Sequence, residues 1–180
     1  MPFRALVVLM GTVHAVSPAA ACKRDVAIAS AIESLARSRT VEAALPHLRV
    51  LERRPYESIC HLVKVLHPIR PTRLGPDDAD SDSWKVIWAI RGLRFLTGGK
   101  DFVARTRFNF SAADNARRDL LEGGRNMVVP FFRVWPSRDI TFIAPRDAQV
   151  AIIGLWRQWF ERDASAFVFR SAGDLDRWYF

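Results

Sequence analysis

Residues 83–110 read SWKVIWAIRGLRFLTGGKDFVARTRFNF, and the hydrophobic period changes part-way through them. The first half predicts a strong helix from Trp84 to Leu96, with Ser83 as its N-cap. Gly98-Gly99 supplies the stop, because glycine reaches the left-handed conformation that ends a helix. Beyond it Phe102, Ala104, Thr106, Phe108 and Phe110 alternate with Val103, Arg105, Arg107 and Asn109. That period of two predicts a half-buried strand with a basic outer face. Helix gives way to sheet here, so the chain is expected to be α+β.

Working back toward the N-terminus, three more helices are expected. Residues 24–38 place Val26, Ile28, Ala29, Ile32, Leu35 and Ala36 near a 3.6 period. A second helix is expected over about 41–53, with Ala44, Leu45, Leu48 and Leu51 on one side and Pro46 as a kink or late start. Pro55 opens a third helix to about Leu66, which Pro68 ends. Residues 67–83 read as a loop with an acidic end, Asp77, Asp78, Asp80 and Asp82, placed to favour the positive end of the helix that follows.

Toward the C-terminus, Ser111 and Asp114 resemble a capping box for a short helix that Gly123-Gly124 stops. A hairpin is expected over about 128–144, with strands Val128–Trp135 and Asp139–Ala144 and Pro136 in the turn. Pro145 then starts a long helix to about Arg162. Val150, Ile153, Trp156 and Phe160 share one side of it, with Ile152 and Trp159 beside them. Residues 166–170 read as a last short strand. The expected fold is a helical N-terminal half followed by a small antiparallel sheet packed against helices. Residues 22–180 are within the size of one domain, and the stretch 68–83 is the place where two lobes would divide.

Residues 1–21 have the order of a secretory signal peptide. Arg4 charges the start, Ala5–Val16 is apolar apart from His14, and Ala19 and Ala21 satisfy the Ala-x-Ala rule before Cys22. The apolar run is too short for a bilayer-spanning helix, which needs about 20 residues; a buried core helix is the alternative. A leader implies a periplasmic or secreted location, where a disulfide between Cys22 and Cys60, the two cysteines, would persist. Cys22 could instead carry lipid as the first residue of a mature lipoprotein, although Ala19 stands where such signals usually have Leu. The two fates compete for one sulfur.

The chain has 27 basic and 19 acidic residues, a net charge of +8. Residues 1–21 contribute only Arg4 to that tally, so the rest keeps the basic excess. Arginine dominates it, with lysine only at 23, 64, 85 and 100. Arginine pairs bidentately with carboxylates and phosphates and stacks on aromatic rings. Such a surface suits a protein partner or an anionic envelope component. No run of clustered basic residues points to nucleic acid.

Catalytic signatures are sparse. No P-loop, G-x-G-x-x-G, G-x-S-x-G or H-E-x-x-H occurs, so no cofactor or metal is assigned. Asp78, Asp80 and Asp82 have the spacing that opens a calcium loop. Ser83 and Ala89 stand where that loop needs Gly and Glu, so the segment reads as a helix-capping loop. Cys60 and His61 point about 100° apart on a helix and form no dyad by themselves. His47 or His67 would reach Cys60 only through the tertiary fold. Glu57, Glu161, Asp139 and Asp163 would serve acid–base chemistry only if a cleft gathered them.

The six tryptophans are the least ordinary feature of the chain. Core packing is the expectation for most, and Arg91 is spaced to stack on Trp88. Trp and Arg also dominate binding hot spots. Trp135 and Arg138 at the hairpin tip, and Trp178 and Tyr179 near the C-terminus, are therefore candidate partner contacts. The leading expectation is an exported bacterial envelope protein that binds a macromolecular partner, one version being a periplasmic protein that neutralises a delivered toxin. The alternative is a hydrolase of an envelope polymer.

Overall fold

The computed structural model describes residues 22–70, 73–107, 126–135 and 140–169. Three helices come first: α1 (Val26–Arg37), α2 (Val41–Glu52) and α3 (Pro55–Val65). Then follow β1 (Arg73–Leu74), α4 (Ser81–Leu96), β2 (Val103–Arg107), β3 (Asn126–Pro130), β4 (Phe132–Trp135), β5 (Ile140–Ile143) and α5 (Arg146–Arg162). The α+β order expected from the sequence is observed. The expected signal peptide, the short helix after Ser111, and Arg138, Trp178 and Tyr179 lie outside the described residues.

Helix α4 is the hub. Twelve of its 16 residues are buried, and it packs on α1, α2 and α3. Gly92 lets α3 approach closely, since a Cβ there would stand 3.2 Å from Leu62 Cδ1. Trp88 is fully buried and donates from Nε1 to the Ser38 carbonyl at 2.9 Å. Gly98 and Gly99 adopt φ of 65° and 90°, and Gly99 N–H reaches the Arg94 carbonyl at 2.7 Å. That closes the helix C-terminus with a glycine pair, as the sequence implied. One cluster of buried side chains runs from Ile28 in α1 to Ala164 beyond α5.

The start of α4 differs from expectation. Asp80 is the N-cap, accepting from Ser83 N at 3.2 Å and from the Ser83 hydroxyl at 2.6 Å. Ser83 is thus the third helical residue and serves as partner to the cap. The polar stretch Ser81-Asp82-Ser83 is helical because the cap lies upstream of it. Within α2, Pro46 is accommodated with the helix continuous from Val41 to Glu52.

The sheet region also departs from the single expected hairpin. Strand β3 pairs antiparallel with β2, while β4 pairs with β5 and β5 with β1. The expected strand 128–135 is therefore divided between two sheets. Pro130 ends β3 without a donor N–H. Phe131 leaves both ladders, buries its ring, and accepts from Ala144 N at 2.9 Å. The hairpin that remains is β4–β5. Strand β1, inside the expected loop 67–83, ties that stretch to the sheet: Arg73 lies opposite Phe142 and Leu74 opposite Thr141.

In α5, the buried residues include Ala148, Gln149, Ile152, Ile153, Trp156, Trp159 and Phe160, whereas Val150 is 53% exposed. Gln149 explains the shift of face. Its amide is fully buried and clamps Ile69, accepting from Ile69 N at 2.8 Å and donating to Ile69 O at 3.0 Å and to Ala144 O at 2.7 Å. Rotating Gln149 inward turns Val150 out. Residues 167–169 follow a short 3-10 helix and form no strand. Phe167 packs edge-on against Trp159 at 5.4 Å and Phe169 against Phe167 at 5.4 Å, so ring stacking replaces ladder pairing.

Cys22 and Cys60 are bonded as a disulfide with Cα atoms 6.0 Å apart. A Cys22 sulfur bonded in this way is not available for a thioether-linked lipid. Asp25, three residues on, caps α1 by accepting from Ala27 N and Ile28 N at 3.0 and 3.1 Å and pairs with Arg54. The N-terminal segment is thus fastened along α3.

Candidate partner-binding face

The five strands contain four arginines and no aspartate or glutamate. Register then decides which face those arginines occupy. In the three-stranded sheet, Arg73, Phe142 and Arg133 stand in one row across β1, β5 and β4. Their neighbours along the strands point the other way: Leu74, Thr141 and Phe132 are 2%, 1% and 6% exposed. Arg73 and Arg133 are exposed, and Phe142 and Ile140 are half-buried. The Arg73 guanidinium lies 5.2 Å from the Phe142 ring centroid. An arginine held over a ring has less freedom to lose on binding, which favours contact with a carboxylate.

The two-stranded sheet repeats the pattern. Ala104 and Val129 are buried against α5, while Val103, Arg105 and Val128 face outward. The basic outer face expected for β2 is present at Arg105. Both sheets therefore show arginine beside apolar side chains, and in the three-stranded sheet the neighbour is aromatic. The described strands themselves carry no carboxylate.

Comparison of this chain with protein-family models, curated sequences and solved structures finds no match. The face therefore rests on its own chemistry.

Of the partner contacts expected from sequence, Trp135 lies at the end of β4 with its backbone opposite Ile140. It belongs to the same hairpin as Arg133 and Phe142. Arg73, Arg133 and Phe142 themselves were not singled out from the sequence. The signal that could have found them is the alternation Ile140-Thr141-Phe142-Ile143, which permits either face to be buried. Burial of the small polar Thr141 puts the aromatic outside.

The residues considered for catalysis are dispersed or occupied. Cys60 is in the disulfide, which leaves no thiol to act as nucleophile. His61 Nε2 lies 3.1 Å from the Lys23 carbonyl. His67 lies 3.0 Å from the Val65 carbonyl through Nδ1 and 2.8 Å from Asp82 through Nε2. A groove of about 270 Å³ between α3 and α5 is lined by Cys60, Val63, Lys64, Arg157, Phe160 and Glu161. It holds one carboxylate, while Glu57 and Asp163 are exposed elsewhere and Asp139 lies outside the described residues.

The acidic loop is used up structurally. Asp78 accepts from Gly75 N at 2.6 Å, Asp80 caps α4, and Asp82 meets His67. Among the described residues no group of three or more His, Cys, Asp or Glu is placed to hold a metal ion. The hydrogen bonds from Ser83 hold the Asp80 carboxyl below its ordinary value.

Four of the tryptophans are core residues: Trp84, Trp88, Trp156 and Trp159 are 3%, 0%, 0% and 6% exposed. The Trp- and Arg-rich contact surface does not include them. Two of them carry an arginine over the ring, Arg39 over Trp84 at 5.0 Å and the buried Arg91 over Trp88 at 4.6 Å.

Proposed function

We propose that this chain is an exported bacterial envelope protein that binds an acidic protein partner through the outer face of its three-stranded sheet. The observation that carries the reading is the row Arg73–Phe142–Arg133, basic and aromatic at once, on strands that contain no acid. The disulfide between Cys22 and Cys60 supports an oxidising compartment such as the periplasm or the exterior. No helix among the described residues is long and apolar enough to cross a membrane. Neutralisation of a delivered toxin is the concrete version of this role, since it requires a complementary surface and no catalysis.

The test is comparative capture from periplasmic extract with the wild type and an Arg73→Glu/Arg133→Glu double variant. The reading expects one protein retained by the wild type, released by salt and lost in the variant. Electrostatic complementarity of this kind sets specificity and association rate and weakens with ionic strength. Retention of the same proteins by both forms would refute it. Retention of an anionic polymer without protein would reassign the face to an envelope component.

A further inference from the structure

We propose that the groove between α3 and α5 is a binding site for a free α-amino acid with an apolar side chain. The inference goes beyond the partner reading above and concerns different elements.

The groove is built from two matching triples. Cys60, Val63 and Lys64 come from α3, and Arg157, Phe160 and Glu161 from α5. Each set has the spacing i, i+3, i+4 of neighbours on one side of a helix. Cys60, Val63 and Phe160 are 3%, 5% and 4% exposed, so they make an apolar floor. Lys64, Arg157 and Glu161 are exposed and put both signs of charge on the rim. The volume of about 270 Å³ suits a small occupant, since drug-sized ligands take sites of about 300–1,000 Å³.

The fold leaves these rim charges unused. Arg157 stands four residues before Glu161, the spacing of a helical ion pair, yet no such pair forms. Its guanidinium donates instead to the Leu66 carbonyl at 2.8 Å, which leaves other donors of the planar fork for a carboxylate. Among the described residues, neither Lys64 nor Glu161 has a hydrogen-bond or ion-pair partner. Those charges select the occupant. Lys64 and Arg157 attract a carboxylate, and Glu161 attracts an ammonium. A simple anion such as a fatty acid would meet Glu161 as a like charge, and a simple amine would meet the two cations. A zwitterion satisfies both signs. Arg157 and Glu161 are one helical turn apart, with Cβ atoms about 5–6 Å from each other, which matches an ammonium and a carboxylate borne on a single carbon. The apolar side chain of the amino acid then covers Val63 and Phe160.

The test is titration of the disulfide-bonded protein with L-phenylalanine, hydrocinnamate and phenethylamine, followed by amide chemical shifts. The three share a ring and differ in charge. L-Phenylalanine is expected to bind with a dissociation constant of about 0.1–1 mM, ordinary for a ligand of its size, and to move the amides of α3 and α5 that border the groove. The other two should bind at least tenfold more weakly. Glu161→Gln removes the partner of the ammonium, so it should weaken L-phenylalanine at least fivefold without weakening hydrocinnamate. Lys64→Gln should weaken L-phenylalanine and hydrocinnamate without weakening phenethylamine. Both substituted side chains are exposed, and an unchanged melting temperature of the free variants checks that they fold. Absence of saturable shifts at about 10 mM L-phenylalanine overturns the proposal. So does equal affinity for the three molecules, or an L-phenylalanine affinity that neither folded variant changes.

Discussion

The guanidinium of Arg91 lies 4.6 Å from the ring centroid of Trp88, one turn earlier on α4. The same guanidinium lies 5.2 Å from the ring centroid of Phe132 on β4. One cation close to two rings thus joins the central helix to the three-stranded sheet. Arg91 is 8% exposed, and stacking compensates a charged group for lost water more fully in a dry site than at the surface. Phe132 is on the buried face of that sheet, opposite the face that carries Arg73, Arg133 and Phe142.

Arg91→Lys keeps the charge and loses the plane. A compact ammonium cannot stack on two rings, and it is more strongly hydrated than guanidinium. The expected cost is about 1–2 kcal/mol, read as a lower urea midpoint with helical circular dichroism unchanged. An unchanged midpoint would show that the stack contributes nothing to stability.

Trp88 and Trp156 are equally buried but differ in their N–H groups. Trp88 Nε1 bonds to Ser38 O at 2.9 Å, whereas Trp156 Nε1 has no hydrogen-bond partner; its ring meets Phe102 edge-on at 4.8 Å. Both Phe variants lose similar volume. Trp88→Phe also loses the Nε1–H bond and leaves Ser38 O with only the longer contact from Arg39 Nη1 at 3.4 Å, which costs about 0.5–1.5 kcal/mol more. Denaturant unfolding of both variants checks the order, and a Trp156→Phe that is the more destabilised would contradict it.

Two carboxylates make the acid limb of stability run in opposite directions. Hydrogen bonding from Ile28 N–H, helped by the Arg54 charge and Ala27 N–H, holds the Asp25 carboxyl below its ordinary 3.8. The unfolded chain then binds that proton more tightly. Stability from Asp25 is present above about pH 3.8 and is lost as pH falls through the lower folded value. Burial pushes Asp101 above 3.8, with Arg94 at 3.6 Å only partly opposing. The folded protein binds that proton more tightly. This contribution is most favourable in acid and is lost as pH rises through the folded value. Urea midpoints between pH 2.5 and 6 should therefore depend less on pH in Asp25→Asn and rise more steeply with pH in Asp101→Asn.

Reducing the Cys22–Cys60 bond should lower stability by about 4 kcal/mol in the chain-entropy account, for the 38-residue separation it spans. Unfolding with and without a dithiol, monitored by tryptophan emission, measures it. A Cys22→Ser/Cys60→Ser variant should match the reduced protein. Equal stability in the two redox states would mean that the capped, ion-paired Asp25 fastens the N-terminal segment by itself.

The helices were legible because local rules govern them. The 3.6 period marks α1 and α2, Pro55 opens α3, and Gly98-Gly99 closes α4. Two of the misread points turn on choices between equal local signals. Asp80 and Ser83 are both capping types, and the true cap is the one whose acceptor also meets the other's hydroxyl. Val150 and Gln149 compete for the interior of α5, and Gln149 enters because Ile69 and Ala144 satisfy its amide. The strand split at Phe131 depends on partners distant in sequence, β2 for one half and β5 for the other. The candidate face was legible only as the right hairpin. Its outward residues follow from the burial of Thr141, which alternation alone does not decide.

The central claim is that Arg73, Phe142 and Arg133 touch an acidic protein in the compartment where the disulfide forms. Photo-crosslinking in intact cells from p-benzoylphenylalanine placed at Phe142 tests it most directly, since that ring lies between the two arginines. One dominant protein adduct of acidic character is expected, and it disappears when Arg73 and Arg133 are both changed to Glu. Absence of any adduct, or the same adducts in the charge-reversed variant, would contradict it.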